Sequence, residues 1–208
     1  MRSPKRGNPS INKFSLNYKS NSMRAIIYHV ATSLDGFIAK EDGSTQEFIE
    51  TGEHVEDYLN QLKDYDTTIM GRNTYEYGYA YGLQPGQPAY PHMNHYLVSD
   101  TLNFENQHEQ IHVVRKNNLI ETIEALKQEI GSPIYLCGGG QLAKTMLENR
   151  LIDELIIKLN PIFLGSGIHL FGGCCEGFEL SQIQRITYEN GVQMIHYKLI
   201  YQEEMVAV

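Results

Sequence analysis

The chain has 208 residues, 41% hydrophobic and 20% charged, the composition of a globular protein large enough to bury a real core. Its 17 basic residues against 25 acidic ones give a formal charge of −8, which argues against nucleic acid or an anionic membrane as a partner. No apolar run approaches the roughly 18 residues that a membrane span requires.

Residues 1–22 carry Arg2, Lys5, Arg6, Lys13 and Lys19 but no acid, and they lack the apolar stretch of a secretory signal. They are expected to be a disordered basic leader, with a nucleic-acid arm as the lesser alternative. Residues 23–208 are expected to form one domain, with a formal charge of about −13 once the leader's five bases are set aside. Cys137, Cys174 and Cys175 make no disulfide framework, which fits free thiols in a reducing, cytoplasmic setting.

Residues 24–31 form an apolar, β-branched run and predict a buried strand. A Leu34-Asp35-Gly36 turn and the polar stretch Lys40 to Thr45 follow. From Glu53 to Asp64, Val55, Tyr58, Leu59 and Leu62 recur at helical spacing and predict an amphipathic helix. Thr67 to Met70 reads as a short strand ended by Gly71, and Arg72 to Tyr77 as a helix. Residues 78–94 hold Gly, Pro and Tyr in the pattern of a long loop. His95 to Ser99 and Ile111 to Val114 predict strands. Leu119, Ile123, Leu126 and Ile130 mark one helical face, ended by Gly131 and Pro133.

The run Ile134 to Cys137, the turn Gly138-Gly139-Gly140 and the periodic segment Gln141 to Arg150 read as strand, glycine turn and helix. Leu155 to Leu159 is a further strand, closed by Pro161. Residues 179–201 predict a hairpin whose Asn190-Gly191 supplies the two positive-φ positions of a type I′ turn. The sum is a mixed α/β sheet with helices on both faces and an antiparallel pair at its C-terminal end.

Glycines at 138–140 let backbone approach a ligand, and the first amides of the following helix lack internal partners, an arrangement that favours phosphate. Gly138 to Ala143 fits G-x-G-x-x-A, yet an ordinary dinucleotide unit needs an acid near position 160, where this chain has Asn160. A purely structural turn is the competing reading. Met70-Gly71-Arg72-Asn73-Thr74 marks a second glycine junction and adds a guanidinium suited to phosphate. His92-x-x-His95 and His108-x3-His112 have metal-like spacings without an evident third ligand, so no metal is expected. The alternating Tyr75, Tyr77, Tyr79 and Tyr81 suit either a lid over a flat ring or a half-buried loop. Asp35, next to Gly36, reads as a turn-stabilising carboxylate.

Taken together, Ala31-Thr32-Ser33-Leu34-Asp35-Gly36-Phe37-Ile38-Ala39, Met70 to Glu76 and Tyr135 to Gly140 resemble the dihydrofolate-reductase-like superfamily. Leu151-Ile152-Asp153-Glu154-Leu155 and Pro161-Ile162-Phe163-Leu164-Gly165-Ser166-Gly167 resemble the reductase domain of bacterial riboflavin-biosynthesis deaminase–reductases and its stand-alone relatives. The resemblance implies a three-layer α/β/α fold, with a central, mostly parallel mixed sheet, a C-terminal antiparallel hairpin and a homodimer. It implies an NADPH-dependent oxidoreductase of the 5-amino-6-(5-phosphoribosylamino)uracil reductase type, with NADH as the lesser alternative. Hydride would pass to a small pyrimidine- or pteridine-like heterocycle. In this resemblance Ala31 meets the nicotinamide carboxamide and Ile38 lies along the loop beside the ring. Arg72, Asn73 and Thr74 face the adenosine-side phosphates, Ser99 the ribose, and Gly139, Gly140, Gln141 and Leu142 the pyrophosphate.

Two departures bear on substrate. Cys137 stands where the riboflavin reductases carry an acid, and residues 48–70 contain no Arg for a ribose phosphate. A weak dihydrofolate reductase and a non-catalytic nucleotide-binding module are the alternatives. No nucleophile–base pair is legible, and the proton donor is left unassigned.

Overall fold

A computed structural model describes residues 23–173 and 177–201. The leader and Cys174 and Cys175 therefore lie outside the described residues. Strands β1 (Ile26–Thr32), β3 (Thr67–Gly71), β4 (Asn94–Val98), β5 (Ile111–Val114), β6 (Ile134–Gly138) and β7 (Glu154–Leu159) run parallel. Strands β9 (Glu179–Thr187) and β10 (Gln193–Ile200) add an antiparallel pair beside β7, giving the order β5-β4-β3-β6-β1-β7-β10-β9. β2 (Phe37–Ala39) and β8 (Ile168–His169) form a separate antiparallel ribbon. This is the expected α/β architecture, mostly parallel with a C-terminal hairpin. Among the described residues no helix is long and apolar enough to cross a membrane.

The alternation of side chains along the strands divides the core into two layers. Ile26, Tyr28, Ile69, Ile134 and Leu136 point to the face covered by α3 (Leu119–Gln128) and α4 (Gly140–Glu148). Ile27, Tyr135, Ile156 and Met194 point to the other face, which Leu62 of α1 (Glu53–Leu62) helps to cover. Tyr75 of α2 (Arg72–Tyr77) packs with Met70, Leu97 and Ile111 on the far strands. At the opposite end of the strands from the site, buried Arg24 pairs with Asp66 and donates to Thr67 Oγ1 at 2.9 Å and Ser132 O at 2.6 Å. Those bonds tie the beginnings of β1, β3 and β6 together.

Three expectations are corrected. The buried face of α1 is His54, Gln61 and Leu62, with Tyr58 half-buried, whereas Leu59 is 53% exposed. The helix is rotated from the hydropathy stripe because polar side chains occupy the layer beneath it. Leu59→Lys is accordingly expected to change stability by less than about 0.5 kcal/mol, read from urea unfolding midpoints. Ile130 is fully exposed, because α3 stops at Gln128 and the extended backbone of Glu129 carries the chain outward.

The hairpin turn is not type I′ either. Only Gly191 has positive φ; Gly191 N–H donates to Tyr188 O and Tyr188 N–H to Val192 O, both at 2.9 Å. That is a three-residue loop ending in a left-handed glycine, braced by Val192 N–H to Asn190 Oδ1 at 3.2 Å.

Candidate functional site

The turns after β1, β3, β4 and β6 gather at the carboxyl ends of neighbouring parallel strands, where open α/β sheets bind ligands. At the centre is the glycine turn. Gly138 has φ 107, a left-handed value that a side chain would resist, and the Gly138–Gly139 peptide is cis. Gly71 approaches it so closely that a Cβ there would lie 3.6 Å from Gly138 O and 3.9 Å from Leu142 Cβ. A Cβ on Gly139 would lie 3.3 Å from Thr74 Oγ1 and 3.9 Å from Ile38 Cδ1. The structure thus brings Ile38, Thr74, Gly139 and Leu142 around one narrow gap.

α4 opens on that gap. Its first helical bond is Ala143 N–H to Gly139 O at 3.0 Å, so the amides of Gly140, Gln141 and Leu142 precede the ladder, and Gly139 brings no side-chain cap. The other flank of the turn is closed by the chain itself. A Cβ on Gly140 would sit 2.3 Å from His169 O, and Gln141 Nε2 donates to Gly172 O at 3.3 Å. Residues 169–172 are held there by Leu170 N–H to Gly36 O and Tyr28 OH to Leu170 O, both at 3.0 Å. Among the described residues, the Gly71, Thr74 and Ile38 side of the turn is the flank that His169 to Gly172 do not cover.

A polar cluster continues along the strand ends. Arg72 donates through Nε to Glu76 Oε1 at 2.9 Å and through Nη1 to Thr101 Oγ1 at 2.8 Å. Asn73 is exposed on the same helix. Ser99 is buried, its Oγ accepting the amides of Thr101 and Leu102 at 3.1 Å each. Arg115, whose Nη1 donates to Ser99 O at 3.1 Å, was not singled out from the sequence, nor was Lys116, whose amide donates to Asp100 Oδ1 at 3.0 Å. Their signal was available: a basic pair directly after the apolar run of β5. Ala31 stands apart from these groups, on β1 beside Lys158 of β7.

The face toward α1 has a different chemistry. Tyr58 OH lies 3.1 Å from Tyr135 OH, the Tyr90 ring is 5.9 Å from that of Tyr135, and Cys137 is half-buried among them. Burial raises the Cys137 thiol, against hydrogen bonds from Tyr135 and Tyr90 that lower it. Burial, then the neighbouring Cys137, pushes Tyr58 up to about 12. These groups are neutral hydrogen-bond donors at neutral pH. None was picked out as a set from the sequence, because three aromatic residues and a thiol carry no motif spacing.

Several candidates prove to brace the fold. Asp35 accepts the amides of Leu164 and Gly165 at 3.1 and 2.7 Å and a hydrogen bond from Ser33, so it braces its own turn and also ties it to a distant loop. Desolvation works against its ionisation, but the hydrogen bonds from Ser33, Gly165 and Leu164 prevail and hold it down to about 2. Asn160 is buried, accepting Ile49 N–H at 3.1 Å and donating to Thr32 O at 3.3 Å. His92 and His95 bond the carbonyls of Leu62 and Met93 at 2.9 and 3.0 Å, and His108 Nδ1 accepts Gln110 N–H at 3.2 Å. The tyrosine series divides: Tyr75 is buried and donates to Gln87 O at 2.7 Å, while exposed Tyr77 bonds Tyr81 at 2.8 Å and Thr45 at 2.7 Å.

Residues 24–194 match the family model described as RibD C-terminal domain. Over 150 residues the chain is 37% identical to the uncharacterised protein YwjB of Bacillus subtilis, covering 71% of this chain and 83% of that one. A crystal structure from Shewanella sp. PV-4, described as a candidate riboflavin biosynthesis protein, superposes with a TM-score of 0.71 at 24% identity, covering 85% of this chain and 99% of the other. Dihydrofolate reductase from Enterococcus faecalis, complexed with NADP(H), superposes with a TM-score of 0.57 at 18% identity, covering 85% and 96%. At those identities the two structures speak to the fold.

Proposed function

The chain belongs to the RibD C-terminal domain family, and on that premise we propose that it is an NADPH-dependent reductase of a small, uncharged pyrimidine- or pteridine-like heterocycle. The observation that carries the cofactor is the gap at Gly139: a Cβ would fill it, and it is bordered by Thr74, Ile38 and the first amides of α4. Free amides at a helix start suit a diphosphate, and absence of a side chain lets it come close. Arg72, Asn73, Ser99 and Arg115 lie along the route to the adenosine end, and two guanidiniums favour a 2′-phosphate over a bare ribose. Ala31, at the end of β1, would meet the carboxamide through its backbone. When bound, the dihydronicotinamide supplies hydride; the protein supplies position, exclusion of water and a proton.

The acceptor side supports the uncharged substrate. Tyr58, Tyr90, Tyr135 and Cys137 offer hydroxyl and thiol donors, and residues 48–70 contain no Arg. A phosphoribosyl group would find no guanidinium from that stretch, whereas a flat ring would find aromatic faces and neutral donors. Loss of absorbance at 340 nm should accompany reduction of at least one member of a panel of pterins and aminopyrimidines. Complete inertness of the panel together with no NADPH-induced rise in melting temperature would contradict the reading.

The proposal includes a homodimer joined through the β9–β10 hairpin, whose outer strand leaves Leu180 and Ile183 exposed. Ile183→Lys is expected to shift the sedimentation coefficient to the monomer value; a monomeric unaltered protein would contradict this part.

A further inference from the structure

The layer between α1 and the sheet is polar where a core is ordinarily apolar. Six buried atoms in it have no hydrogen-bond partner among the described residues: both ring nitrogens of His29, both amide atoms of Gln61, the Tyr65 hydroxyl and Thr68 Oγ1. Strand register places Thr68 beside Tyr135, and places His29 and His196 opposite the same residue, Ile156, from its two sides. The His29 ring meets Tyr58 edge-on at 5.0 Å and Tyr135 at 6.2 Å, and Tyr65 stacks on Tyr135 at 5.3 Å. Gln61 follows Tyr58 by one turn on the buried side of α1. Leaving a buried donor or acceptor unmatched is costly, and four such side chains in one layer would consume most of a domain's stability unless something polar joins them.

The two ends of this layer differ. At one end His196 Nε2 is 2.7 Å from Glu154 Oε2, and Glu154, at the start of β7, is 16% exposed. At the other end lie the paired hydroxyls of Tyr58 and Tyr135, with half-buried Cys137 on the same face of β6 as Tyr135. His29 stands between them, almost fully buried, with one donor and one acceptor to offer. Polar side chains gathered around a buried histidine are the setting in which internal water is held, typically by about three bonds.

We propose that His29, Gln61 and Tyr65 hold ordered water that joins the His196–Glu154 pair to the Tyr58–Tyr135 hydroxyls, so that this layer supplies the proton used in the cleft. The inference rests on the reductase reading. As hydride adds to the acceptor carbon, the π electrons of its C=N or C=O bond pass to the heteroatom, which takes a proton from the phenol pair. The phenolate regains that proton through the water, and the His196–Glu154 end is refilled from solvent. One hydride from the reduced nicotinamide and one proton from solvent are consumed for each bond reduced. His29 is a positioning residue here, since it touches the relay and not the acceptor.

A high-resolution crystal structure of the protein without ligands is expected to show water within hydrogen-bond distance of a His29 ring nitrogen; two dry nitrogens would overturn the proposal. His29→Leu is expected to keep the NADPH-induced rise in melting temperature and the acceptor KM. Its kcat should fall at least about tenfold, with a larger solvent deuterium isotope effect on kcat. Unchanged kcat and isotope effect would overturn the relay even where water is seen. Gln61→Leu makes the same test if His29→Leu fails to fold. Failure of the reductase reading itself shows differently, as an unaltered protein that NADPH does not stabilise.

Discussion

Gly139→Ala is expected to leave the protein folded and to weaken NADPH binding by at least about 100-fold, or about 2.7 kcal/mol. The backbone of Gly139, at φ −89 and ψ −161, is open to alanine, and the nearest atoms to the new methyl are Thr74 Oγ1 at 3.3 Å and Ile38 Cδ1 at 3.9 Å. Small adjustments of those two side chains accommodate it. The methyl nonetheless occupies the gap through which a diphosphate would reach the amides of α4. Gly140→Ala is the informative contrast. Its methyl would press on the backbone at 2.3 Å from His169 O, so it should destabilise the protein before any ligand is added, by about 1–3 kcal/mol or more. Melting curves with and without NADPH separate the two outcomes. A Gly139→Ala protein that binds NADPH as tightly as the original would place the diphosphate elsewhere.

Acidification should unfold this protein from about pH 6.5 downward. Burial, and then the field of His196, lowers the pKa of His29 from 6.5 to about 3; burial chiefly lowers that of His95 to about 4, against a hydrogen bond to Met93 O that raises it. His54 is lowered too, again by burial first. The unfolded chain takes up protons on these rings below pH 6.5 while the native protein does not, so stability falls as pH falls. Two such histidines give a slope of up to about 2.7 kcal/mol per pH unit between roughly pH 6 and 4. The groups around His29 are Tyr58 from α1, Tyr135 from β6 and His196 from β10, the last paired with Glu154 of β7. Asp35, held to about 2, adds a loss of the same sign only at lower pH. Urea midpoints between pH 4.5 and 7 are expected to fall steeply with acid, and His29→Leu should flatten the slope by about half. A flat profile would contradict the burial of neutral imidazoles.

The order of strands and helices was legible because apolar runs and glycine or proline punctuation agree here. Ile134 to Cys137 followed by three glycines declares both β6 and the start of α4, and the convergence of Ile38, Thr74 and Gly139 follows from motifs far apart in the chain. What escaped was polar. Hydropathy put Leu59 inside and left His54 and Gln61 unremarked, because a periodicity of apolar residues cannot register a core layer built from imidazole, amide and phenol. For the same reason His29, inside an apolar run, passed as a strand residue, and Glu154 stood one residue outside the strand expected from Leu155 to Leu159. Arg115 escaped because its neighbours β4 and β5 are joined through a loop, and only the sheet order sets it against Ser99. The short ribbon β2–β8 was also illegible: it pairs residues more than a hundred positions apart, and its two-residue partner carries no pattern.

A crystal structure of the protein with NADPH tests the central claim most directly. The account predicts diphosphate oxygens within hydrogen-bond distance of the amides at Gly140 to Leu142, bordered by Thr74, with the nicotinamide beside Ala31 and facing Tyr58 and Tyr135. A cofactor bound away from those amides, or a site that stays empty at millimolar NADPH, would contradict it.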